Sequence, residues 1–86
     1  MTDDLLEFPC EFPIKMMGRD QPEFRDAALA IVERHAGRID ESAVRVAASS
    51  NGNFLSITVT ITAENRAQLD SIYSDLSDHE QILVAL

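Results

Sequence analysis

Few side chains in this 86-residue chain can do covalent or acid–base chemistry. Beside the hydroxyls of Ser and Thr and the one lysine, Lys15, they are one cysteine (Cys10), two histidines (His35 and His79), one tyrosine (Tyr73) and fifteen carboxylates. A covalent nucleophile needs a base within hydrogen-bond reach, and a metal ion needs several donors converging at ligand spacing. Neither pattern is present. Cys10 has no Cys or His partner at zinc spacing and no second cysteine to pair with, so it reads as a small residue near the first strand. His35 falls near the end of a helical pattern, where partial positive charge is favoured, and a structural or capping role is expected. His79 stands alone in a loop, and Tyr73 lies on an apolar helical stripe. No glycine-rich loop offers backbone amides to a phosphate. Catalysis, a resident metal and a cofactor are therefore not expected.

Charge narrows the class further. Seven Lys and Arg against fifteen Asp and Glu give a formal net charge of −8. A surface of that sign repels phosphate backbones and favours a basic or cationic partner, so nucleic acid is not expected to bind. The acids (Asp3, Asp4, Glu7, Asp40, Glu41, Asp75, Asp78 and Glu80 among them) are scattered and read as a solvated exterior. With 45% apolar and 26% charged residues, the composition is that of an ordinary globular protein. No apolar run reaches the roughly 18 residues that a membrane helix needs. The N-terminal MTDDLLEF is acidic and lacks an apolar signal core, so the expected location is the cytoplasm.

The elements follow from period and punctuation. Residues 1–10 read as an N-terminal tail whose Leu5, Leu6 and Phe8 pack onto the rest, and 11–86 as a single domain. In EFPIKMMG, residues 11–18, Phe12, Ile14 and Met16 alternate with Pro13, Lys15 and Met17, which predicts a strand ended by Gly18. Pro13 cannot donate a ladder hydrogen bond, so its missing N–H must face nothing. Asp20 is the expected N-cap of a helix with Pro22 in its first turn. Phe24, Ala28, Ile31 and His35, with Val32 beside them, form its apolar stripe, and Gly37 ends it. After a hairpin, Thr62 is the expected N-cap of a second helix carrying Leu69, Ile72, Tyr73 and Leu76 at i, i+3, i+4, i+7. QILVAL closes the chain as a last strand.

The hairpin holds the sharpest pattern. If Asn51-Gly52 is a two-residue type I′ turn, Ser50 faces Asn53. Ala48 then meets Leu55, Val46 meets Ile57 and Val44 meets Val59 on one face. Arg45 meets Thr58, Ala47 meets Ser56 and Ser49 meets Phe54 on the other. A slip of one residue would bury the hydroxyls, so the register is strongly specified. The order strand, helix, strand, strand, helix, strand predicts an α+β, ferredoxin-like βαββαβ sandwich. Its four-stranded antiparallel sheet has strands one and three central and both helices on one face. Leu55, Ile57, Val59 and Ile61 are expected beneath the helices. The uncovered face then carries Lys15, Met17, Arg45, Phe54, Ser56 and Thr58, a candidate partner-binding surface with two cations and some apolar character. RNA-recognition domains share this strand order, but one outward aromatic and the wrong net charge argue against that use.

FPCEFPIKMMG, the helix ending near His35, SSNGNFLSITVTITA, RAQLDSIYSDL and the closing VAL together resemble the YbeD-like family of small bacterial proteins. The resemblance spans about Leu6 to Leu86. It implies a fold similar to the ACT regulatory domain and no assigned biochemical activity. ACT domains bind amino acids near the loop between strand one and helix one, commonly at a dimer interface. Carried onto this chain, the resemblance makes Gly18, Arg19, Asp20 and Pro22 a candidate ligand site, although no glycine follows Pro22 as in the usual ACT loop. Two functions follow as expectations. One is a regulatory or adaptor domain that contacts an unidentified protein, a metabolic enzyme, through its open sheet face. The other is an amino-acid sensor using the loop. A homodimer closed through either surface is the plain alternative to both.

Overall fold

The computed structural model describes residues 6–49 and 51–86. Four strands, β1 (Cys10–Arg19), β2 (Val44–Ala48), β3 (Phe54–Ala63) and β4 (Val84–Ala85), form one sheet in the order β2-β3-β1-β4. Helices α1 (Pro22–Ala36) and α2 (Arg66–Asp78) follow β1 and β3. All strand pairs are antiparallel, and the expected α+β ferredoxin-like arrangement, with β1 and β3 central, is the one found.

Alternation decides which side of the sheet is buried. Ile14 and Met16 of β1 and Ile57 and Val59 of β3 are fully buried. They pack against Phe24, Ala28 and Val32 of α1 and against Leu69, Ile72 and Leu76 of α2 in one cluster. At ~25 cal/mol per Å² of apolar surface removed from water, this cluster is the main term holding the helices to the sheet. Leu6 and Phe8 pack against the same cluster, as expected of them, while Leu5 lies outside the described residues.

Several boundaries differ from expectation for identifiable reasons. Gly18 does not end β1; the strand continues, with Gly18 opposite Leu55 and Arg19 opposite Phe54. The N-cap of α1 is Gln21, which makes no side-chain cap bond, rather than Asp20. Asp20 instead donates its backbone N–H to the Asn53 carbonyl, tying the β1–α1 loop to the β2–β3 hairpin. Helix α2 starts later than expected: Thr62 stays in β3, and Asn65 caps α2 by accepting from the Gln68 N–H at 2.8 Å. The last strand is shorter than QILVAL, only Val84–Ala85.

The hairpin register is as predicted, from Val44 opposite Val59 to Ala48 opposite Leu55, but the turn is not type I′. That turn needs positive φ at both central residues. Here Gly52 has φ +77°, and among the described residues no non-glycine has positive φ. The hairpin closes instead at Ser49 and Phe54, with the Ser49 N–H donating to the Phe54 carbonyl at 2.9 Å. Asn51 Oδ1 accepts from Ser49 Oγ and from the Asn53 N–H, which holds the loop. The Ser50–Asn53 pair lies outside the described residues. Two- and four-residue loops share one centre, so the change of turn leaves the register intact.

Candidate functional site

Odd-numbered residues of β1 and even-numbered residues of β3 point away from the helices, as do Arg45 and Ala47 of β2. The pairings set them in rows across the strands. Lys15, Thr58 and Arg45 form one row, Met17, Ser56 and Ala47 the next, and Arg19 sits beside Phe54 in a third. Val84 of β4 extends the middle row beside Met17. Backbone bonds between Lys15 and Leu86 place Leu86 at the end of the first row. Val84 and Leu86 are 43% and 65% exposed, which makes them two of the more exposed large apolar residues. A shallow hollow of about 190 Å³ lies on this face, lined by Lys15, Met17, Ala47, Phe54 and Ser56 among others. Of the six residues expected there, the structure brings all six onto one surface.

Arg19 is the addition. Its guanidinium lies 5.7 Å from the centre of the Phe54 ring, a cation–π contact that covers the aromatic face. The sequence signal was the alternation of β1 itself, which continues past Gly18 and turns Arg19 outward with Lys15 and Met17. Lys15, Arg19 and Arg45 are exposed, and none has an ion pair among the described residues. The four strands hold these three cations and one acid, Glu11. The remaining residues hold four cations and fourteen acids. An acidic protein therefore presents one sheet face of the opposite sign.

The loop residues do not share a site with one another. Gly18 is buried: a Cβ there would run into Phe24 Cδ1 and lie 2.7 Å from the Gln81 carbonyl oxygen. Asp20 and Pro22 are exposed, and Arg19 belongs to the sheet face. Four hollows on the surface of the described residues include none lined by Gly18, Asp20 or Pro22.

His35 is not solitary. Its Nε2 donates to Asp75 Oδ2 across the α1–α2 seam at 2.6 Å, with Arg34 Nη1 3.5 Å from the same oxygen. The His35 carbonyl accepts from Gln68 Nε2 at 3.0 Å, a second bond across the same seam. The His35 hydrogen bond, aided by the positive charge of His35 and Arg34 and opposed by desolvation, holds the Asp75 carboxyl below its ordinary range. His79 Nδ1 accepts from the Gln81 N–H and so shapes the turn after α2. Tyr73 donates its hydroxyl to the Leu86 carbonyl and meets Phe12 edge-on, with ring centres 6.5 Å apart. His35 and Tyr73 thus tie separate elements together, and His79 holds a local turn. Every buried side chain among the described residues is apolar, and no helix among them is long and apolar enough to cross a membrane.

Fold and surface together define a small ferredoxin-like sandwich with a bare, cationic sheet face. Residues 3–86 match the family model described as "Protein of unknown function (DUF493)". A UPF0250 protein of Nitrosomonas europaea is 45% identical over the full length of both chains. A UPF0250 protein of Paraburkholderia phytofirmans is 42% identical, covering all of this chain and 97% of the relative. One of Neisseria gonorrhoeae is 44% identical over 95% and 90% of the two chains. The chain belongs to this YbeD-like family of small bacterial proteins. Its fold is similar to the solution structure of protein HP0495 from H. pylori, with a TM-score of 0.70 at 15% identity over 94% of this chain and 85% of that one.

Proposed function

We propose that this protein is a non-catalytic regulatory or adaptor domain that contacts another protein, an enzyme of metabolism, through its open sheet face. The supporting observation is the partition of charge. Lys15, Arg19 and Arg45 stand unpaired around Met17, Ala47 and Phe54, on the one sheet surface the helices leave bare, while the rest of the chain is strongly acidic. Desolvating cations beside apolar groups is favourable only when a partner supplies the opposite charge. The face suits a macromolecule better than a small ligand, because its hollow is shallow and lined, apart from Leu55, by exposed or half-buried groups.

A photoreactive phenylalanine analogue placed at Ser56, on the face, and at Ser74, on the exposed side of α2, tests the proposal in living cells of the source bacterium. The expected result is a discrete adduct with a second protein from Ser56 and none from Ser74. No adduct, the same adducts from both positions, or only an adduct between two copies of this chain would overturn it.

A further inference from the structure

This inference rests on the docking function proposed above and names the occupant. We infer that the open face receives an acidic amphipathic helix of the partner, lying across the strands along the row Val84, Met17, Ser56, Ala47. In the interior of the sheet the backbone groups are spent in ladders, so an extended segment can add only at an edge; what lies on the face must bind through side chains. A partner sheet would meet a broad apolar surface. Here the most apolar cross-strand row is Val84, Met17 and Ala47 around Ser56, bordered by Phe54 on one side and Leu86 on the other, with cations on both sides.

The dimensions suit a helix. Lys15 and Arg19 are four residues apart on β1, about 13 Å at ~3.3 Å per residue, with the middle row between them. A helix with its side chains is about 10–12 Å across, so its two flanks fall over the two cationic rows. Crossing four strands spans about 14 Å at ~4.8 Å per step, or roughly ten helical residues at 1.5 Å each. The occupant is therefore a helix with an apolar stripe at i, i+3 or i+4, and i+7, and with Asp or Glu along both edges of that stripe. A second copy of this chain pairing face to face would instead oppose three cations with three cations.

The probe is a side-chain-stapled helical peptide of leucine and glutamate in that pattern, titrated into the isotope-labelled protein and followed by amide NMR. The controls are its lysine-for-glutamate counterpart and a scrambled peptide of the same acidic composition. The expected result is saturable shifts in the rows containing Met17, Ala47 and Phe54 for the acidic stapled peptide alone. Arg19→Glu and Arg45→Glu should each weaken it about 1.5-fold to fivefold, the range of exposed ion pairs. Amide spectra report whether each variant is folded, and Arg19→Gln and Arg45→Gln serve if a charge reversal is not tolerated. Equal binding of the scrambled or the lysine peptide, shifts elsewhere on the molecule, or no saturable shift would overturn the inference. Those results leave the Ser56 crosslink unaffected, so the helix can fail while the docking face stands. Absence of the crosslink removes both.

Discussion

Gly18 shows how much one missing side chain decides. The position lies inside a strand, where glycine ordinarily weakens the ladder. It is tolerated because the Phe24 ring and the Gln81 carbonyl occupy the space a Cβ would need. Gly18→Ala should therefore destabilise the protein by about 1–3 kcal/mol through overpacking, measured as a lower urea midpoint at unchanged slope. A midpoint equal to wild type would show that Phe24 can swing away freely. Asp75 makes a second residue-scale prediction. Its carboxyl is depressed below its ordinary value of 3.8, chiefly by the His35 hydrogen bond. On acidification the unfolded chain takes up that proton first. The stabilisation is thus complete above the ordinary carboxylate range and is lost as pH falls through the lower folded value. Asp75→Asn should flatten this part of the acid limb, read from urea midpoints between about pH 5 and pH 2. An unchanged limb would mean that the His35 bond does not couple to folding.

The elements are set by their ends as much as by their periods. Helix α2 depends on Asn65, whose side chain satisfies the Gln68 N–H while Gln68 Oε1 reaches back to the Glu64 N–H. Asn65→Ala should cost about 1 kcal/mol, the usual price of an N-cap, and Asn65→Asp should recover most of it. Circular dichroism melts of the two variants measure this, and equal melting temperatures would exclude the capping role. In β1, Pro13 is tolerated for a positional reason. The Lys15 N–H points toward β4, and positions two apart point the same way, so the N–H missing at Pro13 would have faced outward beyond Val84–Ala85. The proline also blunts an edge that could otherwise pair with another chain.

The whole molecule is polarised in charge. Its strands carry three cations and one acid, and its helices and loops carry most of the acids. That division opposes a two-fold dimer closed through the sheet faces, because such an interface would bury like charges against each other. Sedimentation equilibrium of wild type and Phe54→Asp should give the same mass at low and moderate salt. A dimer that Phe54→Asp dissociates would instead assign the face to self-association. Charge polarity of this kind also steers encounter with an acidic partner, so association should slow as salt rises.

Period and hairpin register follow from short-range pattern, and the chain alone determined them. Alternation placed Leu55, Ile57, Val59 and Ile61 under the helices and Lys15, Met17, Arg45, Phe54, Ser56 and Thr58 on the open face. The pairing of Val44 with Val59 survived even a different turn, because burial of one face, rather than the Asn-Gly step, fixes which residues meet. What the tertiary structure decided involves groups distant in the chain. His35 and Asp75 are forty residues apart, and only the packing of α1 on α2 brings their side chains to 2.6 Å. Gly18 reads as a strand end until Phe24 and Gln81 close over it. Arg19 reads as part of a loop until β1 runs on past Gly18 and lays it across Phe54. Side-chain periodicity follows from backbone geometry, whereas these contacts depend on how separate elements dock, which no local window of sequence contains.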